Sequence, residues 1–202
     1  MSTTVSSRSS RRTFLKQSAA LGGAFILGIR GSSAMAAGQA GPEVTHWVVI
    51  KPNDAVVIRI ARSEMGQGTL TGLAQMMAEE LECDWSKVKL EMVTAHQNHA
   101  RKRAWGEMST GGSRGIRTSH DYVRKGGAAA RMMLVKAAAD QWNVPAAECT
   151  VANGVITHKA SKRRTTYGKV AEAAAKLPVP TDVPLKDPKD WKVIGKPLKR
   201  LD

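Results

Sequence analysis

Ala61-Arg62-Ser63-Glu64-Met65-Gly66-Gln67-Gly68-Thr69-Leu70-Thr71-Gly72-Leu73 is the stretch that decides the fold. Upstream of it the chain is β-branched, with Ala55 to Ile60 reading as a strand. Downstream, Leu70, Leu73, Met77 and Leu81 fall on one helical stripe, so the spacing predicts a helix over 70–81. Between them, Gly66 and Gly68 bracket Gln67 at the start of that helix. Glycines there expose backbone N–H groups at a helix N-terminus, a geometry suited to phosphate oxygens. The Gln67 amide both donates and accepts, which suits a pterin edge or a diphosphate. The plainer alternative is a tight strand-to-helix turn that needs glycine for its dihedrals. The pattern is neither the six-position dinucleotide fingerprint nor a phosphate loop ending in Lys-Ser/Thr.

Working outward, Trp47 to Ile50 pairs with the 55–60 strand through the turn chemistry of Pro52-Asn53-Asp54. Asp84-Trp85-Ser86 breaks the helix, and Val88 to Val93 alternates as a third strand. From Asn98 to Gly115 the chain is polar, basic and glycine-rich without periodicity, which predicts a long functional loop. Within it, Thr110-Gly111-Gly112-Ser113-Arg114 repeats the small-polar lead into a helix, and Arg114 and Arg117 add charge. A helix over about 118–142 follows, whose Gly126-Gly127-Ala128-Ala129-Ala130 segment permits close backbone approach. Asn153-Gly154 between β-branched residues marks a hairpin, and Tyr167 to Lys176 a short Ala-rich helix. These elements predict an α+β fold of small mixed sheets with packed helices. The expected divisions are a leader over 1–36, a linker over 37–43, a domain over 44–177 and a connector over 178–202 leading toward a further domain.

The leader is read from Ser10-Arg11-Arg12-Thr13-Phe14-Leu15-Lys16, the apolar run Ser18 to Ile29, and Ala34-Met35-Ala36. Arg11 and Arg12 before a short, mildly hydrophobic run match a twin-arginine export signal followed by a cleavage site. The run is short of the ~20 apolar residues a membrane span needs. Because that route carries folded proteins, the leader predicts a periplasmic destination and a bulky cofactor inserted before export. Its removal leaves 166 residues. The formal charge falls from +14 to +9, since the leader holds Arg8, Arg11, Arg12, Lys16 and Arg30 and no acid. The remaining excess, at Arg101-Lys102-Arg103 and from Lys159 onward, lacks aromatics for base stacking. It therefore points to an anionic cofactor or acidic partner and away from nucleic acid.

Cys83 and Cys149 are too few and too far apart for zinc or an iron–sulfur cluster. Folding before export favours two buried free thiols over a disulfide. His96 and His99 lack a third ligand at a persuasive spacing; Glu64 and Glu107 are each candidates for a general base, but a carboxylate beside a glycine turn is more often a cap or a surface charge. No nucleophile–base pair stands out. No residue of this chain is thus assigned a catalytic or metal-ligating role.

Residues 61–73, Ala78-Glu79-Glu80-Leu81, Asp84-Trp85-Ser86-Lys87-Val88, Thr110 through Arg117, and Arg124-Lys125-Gly126-Gly127-Ala128-Ala129-Ala130-Arg131 together resemble the large molybdenum-binding subunit of the xanthine oxidase family. The resemblance is to the isoquinoline 1-oxidoreductase beta-subunit and periplasmic aldehyde dehydrogenase branch, and it covers essentially the whole chain. It implies a molybdenum hydroxylase holding molybdopterin cytosine dinucleotide and oxidising aldehydes or N-heteroaromatic rings with water-derived oxygen. It further implies a small subunit with two [2Fe–2S] clusters and, onward, a cytochrome c subunit. Cofactor binding passes to Gly66, Gln67 and Gly68, and to Thr110, Gly111, Gly112 and Ser113. Family members are several times longer, so this chain is expected to be a portion that is inactive alone. The alternative from another class is a non-catalytic periplasmic module binding a cofactor or partner.

Overall fold

A computed structural model describes residues 41–202; the leader and the start of the linker lie outside the described residues. The chain begins with β1 (Glu43–Thr45), β2 (Val48–Ile50) and β3 (Val56–Ile60), joined antiparallel in order. Helix α1 (Thr69–Leu81) then crosses over to β4 (Val88–Met92), which pairs parallel to β3. The first sheet is therefore mixed, and the parallel pair exists because a helix of thirteen residues is long enough to return the chain. A three-residue 3-10 turn at Trp85–Lys87, capped by Asp84, delivers β4.

The long helix α4 (His120–Trp142) packs along α1, where Gly127 lies directly against the Met77 carbonyl and Gly126 against Trp47. The predicted lack of bulk is what lets the two helices close. Beyond it, β5 (Cys149–Ala152), β6 (Val155–His158) and β7 (Arg163–Thr166) form a second, antiparallel sheet, followed by α5 (Tyr167–Ala174). One core of Ile50, Ile58, Leu73, Met77, Leu81 and Leu134 joins the first sheet to α1, α4 and α5. The fully buried Tyr167 sets its hydroxyl on the Leu81 carbonyl at 2.6 Å, tying α5 to the end of α1.

The structure changes one expectation and adds to two regions. The segment from Asn98 is not all loop: α2 (Ala95–Ala100) runs into it and α3 (Arg114–Arg117) closes it. Helix α2 has no apolar stripe, but Thr94 and Gln97 form a reciprocal capping box that starts it. The three-residue β1 and the charged β7 carry too little hydrophobic alternation to be read in advance. Within the expected connector over 178–202, residues 186–194 are bound by buried glutamates of α1. Glu79 accepts from the Lys186 ammonium (2.7 Å) and from the N–H groups of Lys192 (2.7 Å), Val193 (2.6 Å) and Ile194 (3.2 Å). Glu80 accepts from Arg124 and from the Lys186 N–H. Cys83 is a buried thiol whose pKa burial pushes up to about 12, while Cys149 is free but only half-buried.

Candidate functional site

The turn between β3 and α1 is organised by Glu64. Its carboxylate accepts from the N–H groups of Gly66 (2.8 Å), Gly68 (2.9 Å) and Leu70 (3.0 Å). Gly66 and Gly68 have φ of +94° and +80°, the left-handed region that only glycine enters without cost, and this is what folds the turn back over Glu64. The Leu70 bond, then those from Gly68 and Gly66, hold the carboxyl below the usual carboxylate range. Of the readings open to it, Glu64 is thus the cap of the turn. The consequence corrects the phosphate reading: the N–H groups of Gly66 and Gly68 are already spent on an internal anion. Gln67 is exposed, its NH2 donating to Ser63 O (3.0 Å) and Thr69 Oγ1 (2.8 Å), its oxygen accepting from Met65 N–H (2.6 Å).

The second glycine loop lies edge to edge with this turn. Ser63 N–H donates to the Met108 carbonyl (3.0 Å), and the Thr110 hydroxyl to Ser63 O (2.7 Å). Below, Gly115 of α3 abuts Thr69, and Gly72 of α1 abuts Ile116. The N–H groups of Gly111, Gly112 and Ser113 have no acceptor among the described residues. Gly111 and Gly112 also face open space where a Cβ would stand. Arg114 and Arg117 are exposed at the same end. The structure thus brings together all seven candidate residues, and leaves the open donors in the 111–113 loop.

What joins the two loops is Arg62, which carried no signal of its own in the sequence. Its buried guanidinium donates to Ser119 Oγ (3.0 Å), Thr118 Oγ1 (2.8 Å) and the Ser109 carbonyl (2.7 Å). A second missed cluster is elsewhere: His158, buried, bonds Ser161 through Nδ1 (2.7 Å) and Glu148 through Nε2 (2.8 Å). The ring nitrogens are used in the opposite sense to a catalytic triad, and the Ser161 N–H also points to Nδ1, so the cluster pins a β-turn. His96 and His99 sit exposed on α2, and no group of three potential metal-binding side chains occurs among the described residues.

Residues 3–199 match the model of the molybdopterin cofactor-binding domain family. The isoquinoline 1-oxidoreductase subunit beta of Brevundimonas diminuta is 33% identical over 183 residues, 88% of this chain and 23% of that protein. The membrane-bound aldehyde dehydrogenase [pyrroloquinoline-quinone] of Gluconacetobacter polyoxogenes is 33% identical over 172 residues, covering 79% and 20%. This chain therefore spans under a quarter of the length of these curated relatives. Among solved structures, quinoline 2-oxidoreductase from Pseudomonas putida 86 is similar at 19% identity and a TM-score of 0.49, over 62% of this chain and 15% of that one.

Proposed function

Because the chain belongs to the molybdopterin cofactor-binding domain family, we propose that it forms part of the large subunit of a periplasmic molybdenum hydroxylase that oxidises aldehydes or N-heteroaromatic compounds with water-derived oxygen. The observation that carries this reading is the pair of glycine loops locked edge to edge by Arg62, Ser63 and Thr110. The substrate classes follow the names of the two curated relatives, one a dehydrogenase of aldehydes and one an oxidoreductase of isoquinoline. The aldehyde dehydrogenase is named for pyrroloquinoline quinone, so molybdopterin rests on the family model rather than on that relative.

The residues fit such a cofactor, with the labour divided differently from the sequence expectation. The free N–H groups of Gly111, Gly112 and Ser113, beside Arg114 and Arg117, suit the diphosphate of the cytosine dinucleotide form. The Gly66–Gly68 turn offers close backbone approach, and Gln67 has one oxygen lone pair left for a pterin N–H. When bound, the molybdenum centre supplies the oxidising chemistry. This chain's residues bind and orient, and none is given a proton-transfer role. A small [2Fe–2S] subunit and a cytochrome c subunit are the proposed electron acceptors.

The test is cofactor content in the complete assembly purified from its host. Gln67→Ala removes an acceptor worth roughly 1–3 kcal/mol to a buried or charged partner, a tenfold to hundredfold loss of occupancy at limiting cofactor. Gly68→Val should do worse, since a β-branched residue resists a φ of +80°. Molybdenum and released CMP per polypeptide are measured beside a melt of the cofactor-free form. Normal occupancy in both variants would leave the turn purely structural.

A further inference from the structure

The glycine turn has a neighbour that comes from the far end of the chain. Arg200 stands over the open face of Gly68, its guanidinium carbon 3.8 Å from where a Cβ on that glycine would lie. It gets there along α1. Glu79 and Glu80, at the C-terminal end of the helix, hold residues 186–194 through the bonds described above. At the N-terminal end, the Thr71 hydroxyl accepts from Leu201 N–H (3.0 Å) and donates to the Asp202 carboxylate. Asp202 in turn pairs with Arg200. The last seventeen residues thus form a strap laid antiparallel to α1 and fastened at both ends. Two adjacent glutamates, almost fully buried on one helix, are a costly arrangement unless each is paired, and here the strap supplies most of the pairing.

What the strap delivers is a cation to a turn whose glycine amides are already bonded. Gly66 and Gly68 have given their N–H groups to Glu64, so an anionic oxygen lying over Gly68 finds a negative carboxylate and neither glycine amide. Arg200 has five N–H donors, and its bond to Asp202 is the one it makes among the described residues. Its side chain is about half exposed, 54%, so the rest are open to a ligand.

Resting on the functional reading above, we propose that Arg200 is a cofactor-contacting residue that donates to an anionic oxygen of the cofactor beside Gly68, and that Thr71 is the positioning residue that fixes it there. The test uses the assembly purified from its host, with pterin and molybdenum retained per polypeptide after gel filtration in rising salt as the readout. Arg200→Ala should lower retention about tenfold, and Arg200→Lys less, because an ammonium keeps the charge without the fork. Thr71→Val keeps the shape and loses the tether, so it should lower retention in the same direction. The double variant Thr71→Val/Arg200→Ala should lose no more than Arg200→Ala alone, because both act through one contact. Retention unchanged in Arg200→Ala overturns the proposal, and additive losses in the double variant overturn the positioning role of Thr71. Unaltered protein free of molybdopterin would remove the functional reading and this inference with it. Loaded wild type beside an equally loaded Arg200→Ala removes this inference alone.

Discussion

Arg62 shows how one side chain can decide whether two loops make a site. It leaves the end of β3, is 3% exposed, and spends its guanidinium on Ser109, Thr118 and Ser119 from the segment that carries the second glycine loop. Arg62→Met keeps length and removes the bonds to Ser109, Thr118, Ser119 and Glu107, leaving the second loop without its buried charged donor. Each such loss costs about 1–3 kcal/mol, so the variant should melt several degrees lower. It should also raise hydrogen exchange over 108–113 more than in β1 to β3, and uniform exchange would mean that Arg62 serves general stability rather than loop registry. None of this was legible in the sequence, because a lone arginine after a strand gives no clue to partners some fifty residues away. Gly66, Gln67 and Gly68 were legible as a turn, since the need for positive φ is local. Their bonding to Glu64 was half legible: the carboxylate read as a cap, but the inference that it closes the amides to phosphate needed the geometry.

At the scale of elements, periodicity found α1, α4, α5 and the pairing of β2 with β3, because each places apolar residues at its own repeat. It missed the strap over 186–202, whose hold is electrostatic and whose apolar residues are scattered between prolines. Two predictions belong here. Gly127→Ala would gain helix propensity worth about 1 kcal/mol, yet its Cβ would overlap the Met77 carbonyl. Overpacking of that kind costs about 1–3 kcal/mol or more, so a thermal melt should show net destabilisation, whereas a more stable variant would mean α1 and α4 part freely. The strap should come loose in acid. Burial alone would raise the Glu79 pKa, but the Lys186 bond and the N–H groups of Val193, Ile194 and Lys192 outweigh it and hold the carboxyl below its ordinary value. A depressed carboxyl stabilises above its unfolded value and loses that contribution as pH falls through the folded one. Lys186 is shifted upward: burial opposes its charge, while Glu79 and Glu82 favour it, so its contribution is lost only when pH rises past the lysine range. The strap is therefore firmest between roughly pH 4.3 and 10.4. Exchange at Lys192–Ile194 should accelerate below that window well before α1 exchanges, and Glu79→Gln should show the acceleration already at neutral pH.

For the whole molecule, the surface charge and the first forty residues bear on where the protein works. The described part carries its cations in clusters such as Arg101-Lys102-Arg103 and Lys162-Arg163-Arg164, all exposed, so attraction to an acidic partner adds to whatever shape supplies. A domain whose site depends on two loops, a buried arginine and a strap from its far end must be assembled before any cofactor can be held. That requirement agrees with the proposed export of folded protein through the leader read over Ser10-Arg11-Arg12-Thr13-Phe14-Leu15-Lys16, since a chain threaded unfolded would arrive without the geometry proposed to retain the cofactor. Changing Arg11 and Arg12 together to Lys preserves charge and removes only the guanidinium pair. The variant should accumulate in the cytoplasm with its cofactor content intact, because nothing over 41–202 is altered. Cell fractionation with immunoblotting measures the first half and molybdenum per polypeptide the second. Undiminished periplasmic protein in the double variant would show that another signal exports the chain. Cytoplasmic protein depleted of molybdenum would break the link drawn here between folding, loading and export.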